Sequence, residues 1–547
     1  MNIRSKLDRR DLIILILITA LAILYPLLLI GFKWYPHEDA AILMRYAKHL
    51  GEGHGIVYNI GEKPVDGATD FLFMVLIALI YMCGVPLEIT VFLIVYISHV
   101  LNVIIIYIAI RTLYVGKKWM ASLSSTYLAI GPAIGCIAGL FGATFFALFV
   151  CITWCYSYKL IEEYDSKKYN IRFAFFGLIT ALIRPEGVFL VILFLISIIW
   201  LNGFKKSKKS ILYTFIIFGS IGGIYLIWRW LYFGYPLPNP YYKKGGFTLH
   251  FDGLIDSGIN GLFMFLPFLI VFFIGFIAAI LHFFGIGTKV IFKQFIYCLI
   301  PIIGFLSIWI LLSSWMNIFG RFQYPILPIF LMLWPLLLKT ISEDWKRVNF
   351  PKYDFLIFKD EMIKAILLLC CFIGVMFYQY WNYNTRIKTD LYNEGVYDVA
   401  IMLNDYKDKD YTLLTTEAGI LPLYSEWESI DAWGLNDQWI AHNVEITDDF
   451  IDKYDPELIM YHQWAINDTD SEKGDWHSML KILQDYAQEN NYYLAASYGI
   501  IEDDTHVYYV SRNFTDSIEI IEKIQDIEYL WYNGIKCENY IPEAYIL

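Results

Sequence analysis

A chain of 547 residues that is 58% hydrophobic, with a mean hydropathy of +0.49, is too apolar for a soluble enzyme of its length. Its net charge of −11 is unevenly split: from Asn384 onward 33 Asp and Glu face 10 Lys and Arg, so the preceding part carries +12. An acidic, tyrosine-rich tail without a basic patch excludes a nucleic-acid partner, and the single cysteine within it, Cys537, offers no disulfide framework.

Arg4, Lys6, Arg9 and Arg10 precede the apolar run Leu12–Phe32. No small-residue cleavage site follows, so this run predicts a retained signal-anchor whose cationic start stays in the cytoplasm. The next stretch, residues 33–70, is then an outer loop. It opens on the adjacent acids Glu38 and Asp39, continues as an amphipathic helix over Ala40–Leu50, turns at Gly51, Gly53 and Gly55, and ends near a third acid, Asp66. At helical spacing Glu38, Ile42, Arg45 and His49 share one face. Three carboxylates, an arginine and several histidines beside a bilayer mark this loop as the candidate reaction centre.

Phe71–Cys83 is short for a crossing and is expected to be an interfacial or re-entrant helix. Leu87–Ile110 returns inward to Arg111, Lys117 and Lys118; Met120–Ile134 and Thr144–Leu160 form the next pair. Pro185 and Gly187 divide Phe173–Leu201 into two helices that meet at Arg184-Pro185-Glu186-Gly187, which keeps the lysines at 205, 206, 208 and 209 cytoplasmic. Crossings at Ile211–Tyr232, Leu262–Phe284, Phe295–Leu312, Tyr324–Leu338 and Ile366–Trp381 complete eleven spans, with the N-terminus inside and the C-terminus outside. The tail mixes periods: Tyr411–Thr416, Leu458–His462, Tyr492–Tyr498 and His506–Ser511 predict strands, whereas Asp475–Glu489 and Thr515–Leu530 have helical spacing. The chain thus divides into a polytopic α-helical module, residues 1–383, and an extracytoplasmic α/β domain, residues 384–547.

This topology puts Glu38, Asp39, Asp66, Arg184, Glu186, Arg229, Arg321, Lys243 and Lys244 on one side of the membrane and leaves the span middles nearly free of charge. A carboxylate can deprotonate an attacking hydroxyl, and arginines can hold a phosphate leaving group bidentately. Glycosyl transfer from a polyprenyl phosphate requires those parts at a membrane face. Structural roles compete for the same residues: an acid can cap the helix that follows it, Arg184-Pro185-Glu186-Gly187 can be a helix break with a local ion pair, and Arg321 can be a snorkelling anchor.

Several ordered motifs resemble bacterial GT-C glycosyltransferases related to the cell-wall arabinofuranosyltransferases. They are EDAAILMRYAKHLGEGHGIVYN with VDGATDFLF in the first loop, ALIRPEGVFL from Ala181, YFGYPLPNPYYKK from Tyr232, FGRFQYPILP from Phe319, and TTEAGILPLYS and DAWGLND in the tail. The resemblance implies a GT-C fold, a lipid-phosphate-linked sugar donor and a catalytic acid in the first outer loop. On these motifs Asp39 is the expected base, helped by Glu38, with Asp66 orienting the acceptor. Arg184 and Arg321 are expected to bind the donor phosphate, with Lys243 and Lys244 in support, and Arg45, His54, Glu186 and Asn239 to contact substrate. The chain departs from the pattern at Glu38, where Asp is usual, at Phe141 and Ser314, where acids are absent, and at Asp70, where an amide is common. No cofactor follows from these residues, and a divalent cation stays open. The expected partners are a polyprenyl-phosphate sugar, a glycan or glycoconjugate acceptor and the lipid bilayer of the plasma membrane. A lipid-linked-sugar flippase or polysaccharide exporter, and a non-catalytic glycan-binding scaffold, are the alternatives.

Overall fold

In the computed structural model the described residues are 7–32, 34–114, 116–244, 248–285, 288–312, 317–347, 361–388, 391, 395–443, 446–464, 471–501, 504–527, 531–532 and 535–536. Ser314, Lys352, Lys359 and Cys537 lie outside them. Helix α1 (Arg9–Ile30) starts with a reciprocal cap between Asp8 and Asp11. Next come α2 (Glu38–Gly51), α3 (Phe71–Tyr81), α4 (Leu87–Thr112), α5 (Lys118–Ile130), α6 (Ala133–Ala138) and α7 (Ala143–Glu162). At 11 residues α3 is about 16 Å long, half of a hydrocarbon core of about 30 Å. It packs against α2 and α4.

The ends of α1 and α4 give the relative direction of the first helices. Asp11, at the start of α1, is fully buried and accepts hydrogen bonds from Arg111 Nε (2.7 Å) and Tyr107 (2.9 Å) at the end of α4. Lys118, opening α5, pairs with Asp8. These contacts place the start of α1, the end of α4 and the start of α5 at one end of the bundle, as the short α3 requires.

Helices α8 (Lys167–Ile183) and α9 (Glu186–Asn202) are separated by Arg184 and Pro185 and pack side by side as a hairpin. A Cβ on Gly187 would collide with the Thr180 and Ala181 backbone, so the close return needs glycine there. Helices α10 (Phe204–Ile217) and α11 (Gly223–Phe233) join through one π-helical turn into a 30-residue span. It begins before the expected Ile211, because its first turns carry the lysines at the polar boundary, where apolarity gives no signal. Then follow α12 (Asn239–Lys244), α13 (Phe251–Phe265), α14 (Leu269–Phe283), α15 (Lys289–Ile308), α16 (Leu327–Arg347) and α17 (Glu361–Asn382). Helix α13 starts before the expected crossing Leu262–Phe284, and a 3-10 turn containing Pro267 links it to α14.

Seven described helical segments are long and apolar enough to cross a membrane: Arg9–Ile30, Leu87–Thr112, Ala143–Glu162, Phe204–Phe233, Phe251–Phe283, Lys289–Leu311 and Ile318–Asp344. The other four expected crossings fall on α5, α8, α9 and α17. The protein is a polytopic α-helical membrane protein with a small C-terminal sheet domain.

The tail strands are β1 (Thr412–Thr415), β2 (Glu428–Asp431), β3 (Leu458–Trp464), β4 (Tyr492–Ile501), β5 (Asp504–Ser511), β6 (Trp531–Tyr532) and β7 (Ile535–Lys536). They form one mixed sheet in the order β2-β1-β3-β5-β4-β6-β7; β1 pairs in parallel with β2 and β3, and the remaining pairs are antiparallel. Strand alternation sends Leu413, Leu458, Met460 and Tyr508 into the core continuous with the helices. Leu414, Ile459, Val507 and Tyr509 face a second core with Trp433, Trp476 and Leu483. The sheet therefore grows directly out of the bundle's packed end.

Candidate active site

Helix α2 presents the first-loop acids. His37 caps it by accepting the Asp39 N–H on Nδ1 (3.4 Å), and Glu38 and Asp39 occupy the first turn, where the helix dipole favours negative charge. The two acids then part. Asp39 pairs with Arg321, 282 residues away, whose guanidinium lies over the Phe141 ring at 4.3 Å. Burial alone would raise the Asp39 pKa, but Arg321, Lys244 and His37 hold it well below the ordinary carboxylate value. Burial pushes His37 down to about 4. Lys244, at the end of α12, is lowered by burial against the opposing pull of Asp39.

Glu38 points the other way, toward the tail. Its Oε2 accepts the backbone N–H of Gly419 (2.8 Å) and Ile420 (3.0 Å), at the start of the helix Ile420–Ser425. A Cβ at Gly419 would overlap the Glu38 backbone oxygen. Glu38 thus docks the tail on the loop, a role that its neighbouring position in the sequence does not reveal.

Arg184 sits beside this pair. Its guanidinium meets Glu186 (3.2 Å) and Asp70 (3.1 Å), and burial is outweighed by those two carboxylates, which hold its pKa above the ordinary value. Phe322 neighbours both arginines, with its ring centroid 5.9 Å from Arg184 Cζ and 5.2 Å from Arg321 Cζ. Asp39, Arg321, Lys244, Arg184, Asp70 and Glu186 therefore form one charged group walled by aromatic rings. Asp70 is the member that motif reading did not select: it is 114 residues from Arg184, with no periodicity to link them.

The other candidates are placed elsewhere. Asp66 is 5% exposed and paired with Arg229 through Nε at 2.7 Å, and its backbone carbonyl accepts the Asn239 N–H (3.0 Å). Burial nevertheless raises the Asp66 pKa. Asn239 is buried in the same joint, its side chain reaching the Asp437 carbonyl. Arg45, expected to contact substrate, instead donates to Asn59 Oδ1 (3.0 Å) and to the carbonyls of Tyr58 (2.8 Å), Trp427 (3.0 Å) and Pro422. Its fork satisfies protein acceptors and staples the loop to the tail, while its edge lines a cleft with Lys48, His49 and Glu426. His54 is exposed in the glycine turn next to His49. Lys243 lies over the Trp433 ring at 4.4 Å.

DAWGLND forms a tight loop around a fully buried carboxylate. Asp431 accepts the N–H groups of Trp433, Gly434 and Asn436 and the Asn436 side-chain amide. Burial pushes it up to about 6 against those hydrogen bonds. Asn436 in turn accepts from Tyr46 on α2 (3.1 Å), and Tyr235 stacks on His442 at 3.8 Å, so the tail clamps both α2 and the loop that carries Lys244. In the first loop Asp39, Asp66 and Asp70 pair with arginines and Glu38 accepts backbone N–H groups, while Glu52 accepts from Tyr81 and Glu62 from Asn59; among the described residues no three of them gather as metal ligands. Potential metal ligands gather in the tail sheet instead, at Glu417, His462 and His506.

Residues 382–514 match a family model described as a domain of unknown function (DUF8728). No curated protein matches the chain. Among solved structures, ArnT from Cupriavidus metallidurans in the apo state superposes with a TM-score of 0.54 at 11% identity, covering 90% of this chain and 97% of that one. The archaeal oligosaccharyltransferase AglB from Archaeoglobus fulgidus, in complex with an inhibitory peptide and a dolichol-phosphate, superposes with a TM-score of 0.52 at 12% identity, covering 93% and 75%. This chain has the GT-C fold.

Proposed function

We propose that the protein is a GT-C glycosyltransferase that moves a monosaccharide from a polyprenyl-phosphate donor to a hydroxyl of an envelope glycan or glycoconjugate. The reaction takes place on the extracytoplasmic face of the plasma membrane, in the module formed by residues 1–383, with residues 384–547 as an acceptor-facing domain. The carrying observation is the meeting of Asp39 with Arg321 and Lys244, brought from three distant parts of the chain. The dolichol-phosphate in the similar AglB structure supports the donor class.

Arg321 and Lys244 receive the donor phosphate, with Arg184 close by, next to Phe322. As the phosphate takes over these cations, Asp39 is released from its ion pair and regains basicity. The acceptor hydroxyl gives its proton to Asp39, its oxygen bonds to the anomeric carbon, and the carbon–oxygen bond to phosphate breaks with its electrons leaving on the polyprenyl phosphate. The cations stabilise that leaving group, and the burial of the site strengthens their effect. Asp66, tied to Arg229, shapes the loop on the acceptor side, and Glu186 orients Arg184.

Asp39→Asn is the direct test, because Asn preserves size and helix-start compatibility but cannot accept the proton. Turnover of defined polyprenyl-phosphate sugars at matched protein levels is expected to fall by about 100- to 10,000-fold, with normal membrane insertion. Wild-type turnover by a folded Asp39→Asn protein would remove Asp39 from the chemistry.

A further inference from the structure

We propose that the tail sheet carries a divalent transition-metal site, of the kind zinc occupies, made by Glu417, His462 and His506. His462 on β3 and His506 on β5 are directly opposite each other in the antiparallel register, and their rings stack at 4.1 Å. Glu417, from the turn after β1, brings Oε1 to 2.7 Å from His462 Nδ1. One ligand atom from each residue falls within 4.8 Å of the others. Bonds of about 2.0–2.2 Å around a tetrahedral ion would separate ligand atoms by about 3.3–3.6 Å, within reach of small side-chain adjustments.

The second observation is the state of His506. It is 1% exposed, and neither ring nitrogen has a hydrogen-bond partner among the described residues. A buried imidazole left so is costly, and a metal bond would satisfy one nitrogen. Two imidazoles and a carboxylate suit zinc and its transition-metal neighbours; magnesium and calcium prefer all-oxygen shells. Glu417 and His462 keep 15% of their side chains exposed, which leaves the ion a path in and a coordination position for water.

The location suggests what the metal would do. Glu417 is two residues before Gly419, and Glu38 grips the N–H groups of Gly419 and Ile420. Thr416, the residue before Glu417, is fixed by accepting the His462 N–H on its hydroxyl (2.9 Å). A metal at this point braces the turn on which the first loop docks. The proposal stands apart from the glycosyltransferase reading, since no step of transfer passes through these residues.

The test uses full-length protein in detergent, purified without a polyhistidine tag and stripped of metal. Titration with cobalt(II) is expected to give a visible ligand-field band saturating at one equivalent and displaced by zinc. Zinc should also raise the melting temperature. Glu417→Gln and His506→Asn should each weaken cobalt binding by more than the about 10- to 100-fold typical of losing an outer-shell partner. A wild-type protein that gives no zinc-displaceable band overturns the site, and so does a band that persists unweakened in both variants. The wild-type titration decides the matter even where a variant fails to fold.

Discussion

Asp39 rests as a carboxylate held below its ordinary pKa by Arg321, Lys244 and His37, and a base so held is a weak one. Its linkage has a definite sign. A depressed folded-state value contributes stability above the unfolded value, about 3.9, and that stability is lost only as pH falls through the folded value. The melting-temperature difference between wild type and Asp39→Asn should therefore stay constant from about pH 5 to pH 8. Catalysis should behave differently. If donor phosphate takes Arg321 and Lys244, Asp39 in the complex titrates higher than in the free enzyme, so the acid limb of kcat should lie at higher pH than that of kcat/KM for the donor. Coincident limbs would mean that the pair survives donor binding. Arg184 allows a separate check. Lysine keeps the charge but cannot span Glu186 and Asp70 as the guanidinium does. Losing one charge-assisted hydrogen bond to the donor phosphate, worth about 1.5–3 kcal/mol, predicts a rise of about 10- to 100-fold in donor KM for Arg184→Lys. Acceptor KM should change little in the same initial-rate measurements.

On the proposed reading, helix α2 carries chemistry at Asp39 and docking at Glu38, one residue apart. Glu38→Gln retains an oxygen able to accept the Gly419 and Ile420 N–H groups, so near-normal turnover and a docked tail are expected. Glu38→Ala leaves those amides unsatisfied, and Gly419→Ala drives a methyl group into the Glu38 backbone. Both should open the loop–tail joint, read as faster amide exchange over residues 415–425. A large turnover loss in Glu38→Gln with normal exchange would return Glu38 to the chemistry. Much of this architecture is legible in the sequence. The α2 pattern, the break at Arg184-Pro185, the short α3 and the strands around Leu458, Tyr492 and His506 all follow from period, length and proline. Strand β2 does not: Glu428–Asp431 is short and half acidic, and Asn59 from the first loop helps hold it by accepting the Ser429 N–H. The pairings Asp39–Arg321, Asp66–Arg229 and Asp70–Arg184 also escape, because they join residues 282, 163 and 114 positions apart. Residue type announces that each arginine needs an anion; only the fold chooses which.

At the scale of the whole molecule, charge is sorted to opposite ends of the bundle. Asp11–Arg111 and Lys118–Asp8 lie at one end, where Lys339 in α16 reaches the Tyr114 carbonyl (3.3 Å). Lys206 and Lys209, at the start of α10, meet Tyr164 and Asp165 just after α7. The Asp39–Arg321 group and the acidic tail occupy the far ends of α4, α7, α8 and their neighbours. Cations retained on the cytoplasmic side orient such a bundle, so the reaction group should face outward. The test places single cysteines in a background lacking the eight native ones, of which Cys83 and Cys370 are exposed among the described residues. Probe positions must themselves be exposed, as Lys208, Glu52 and Asp449 are. In intact cells a membrane-impermeant thiol reagent should label Glu52→Cys and Asp449→Cys, and should label Lys208→Cys only after the membrane is opened. Labelling of Lys208→Cys in intact cells, with Glu52→Cys protected, would invert the bundle. A donor on the cytoplasmic leaflet would then be required, and the acidic tail would have to work inside the cell.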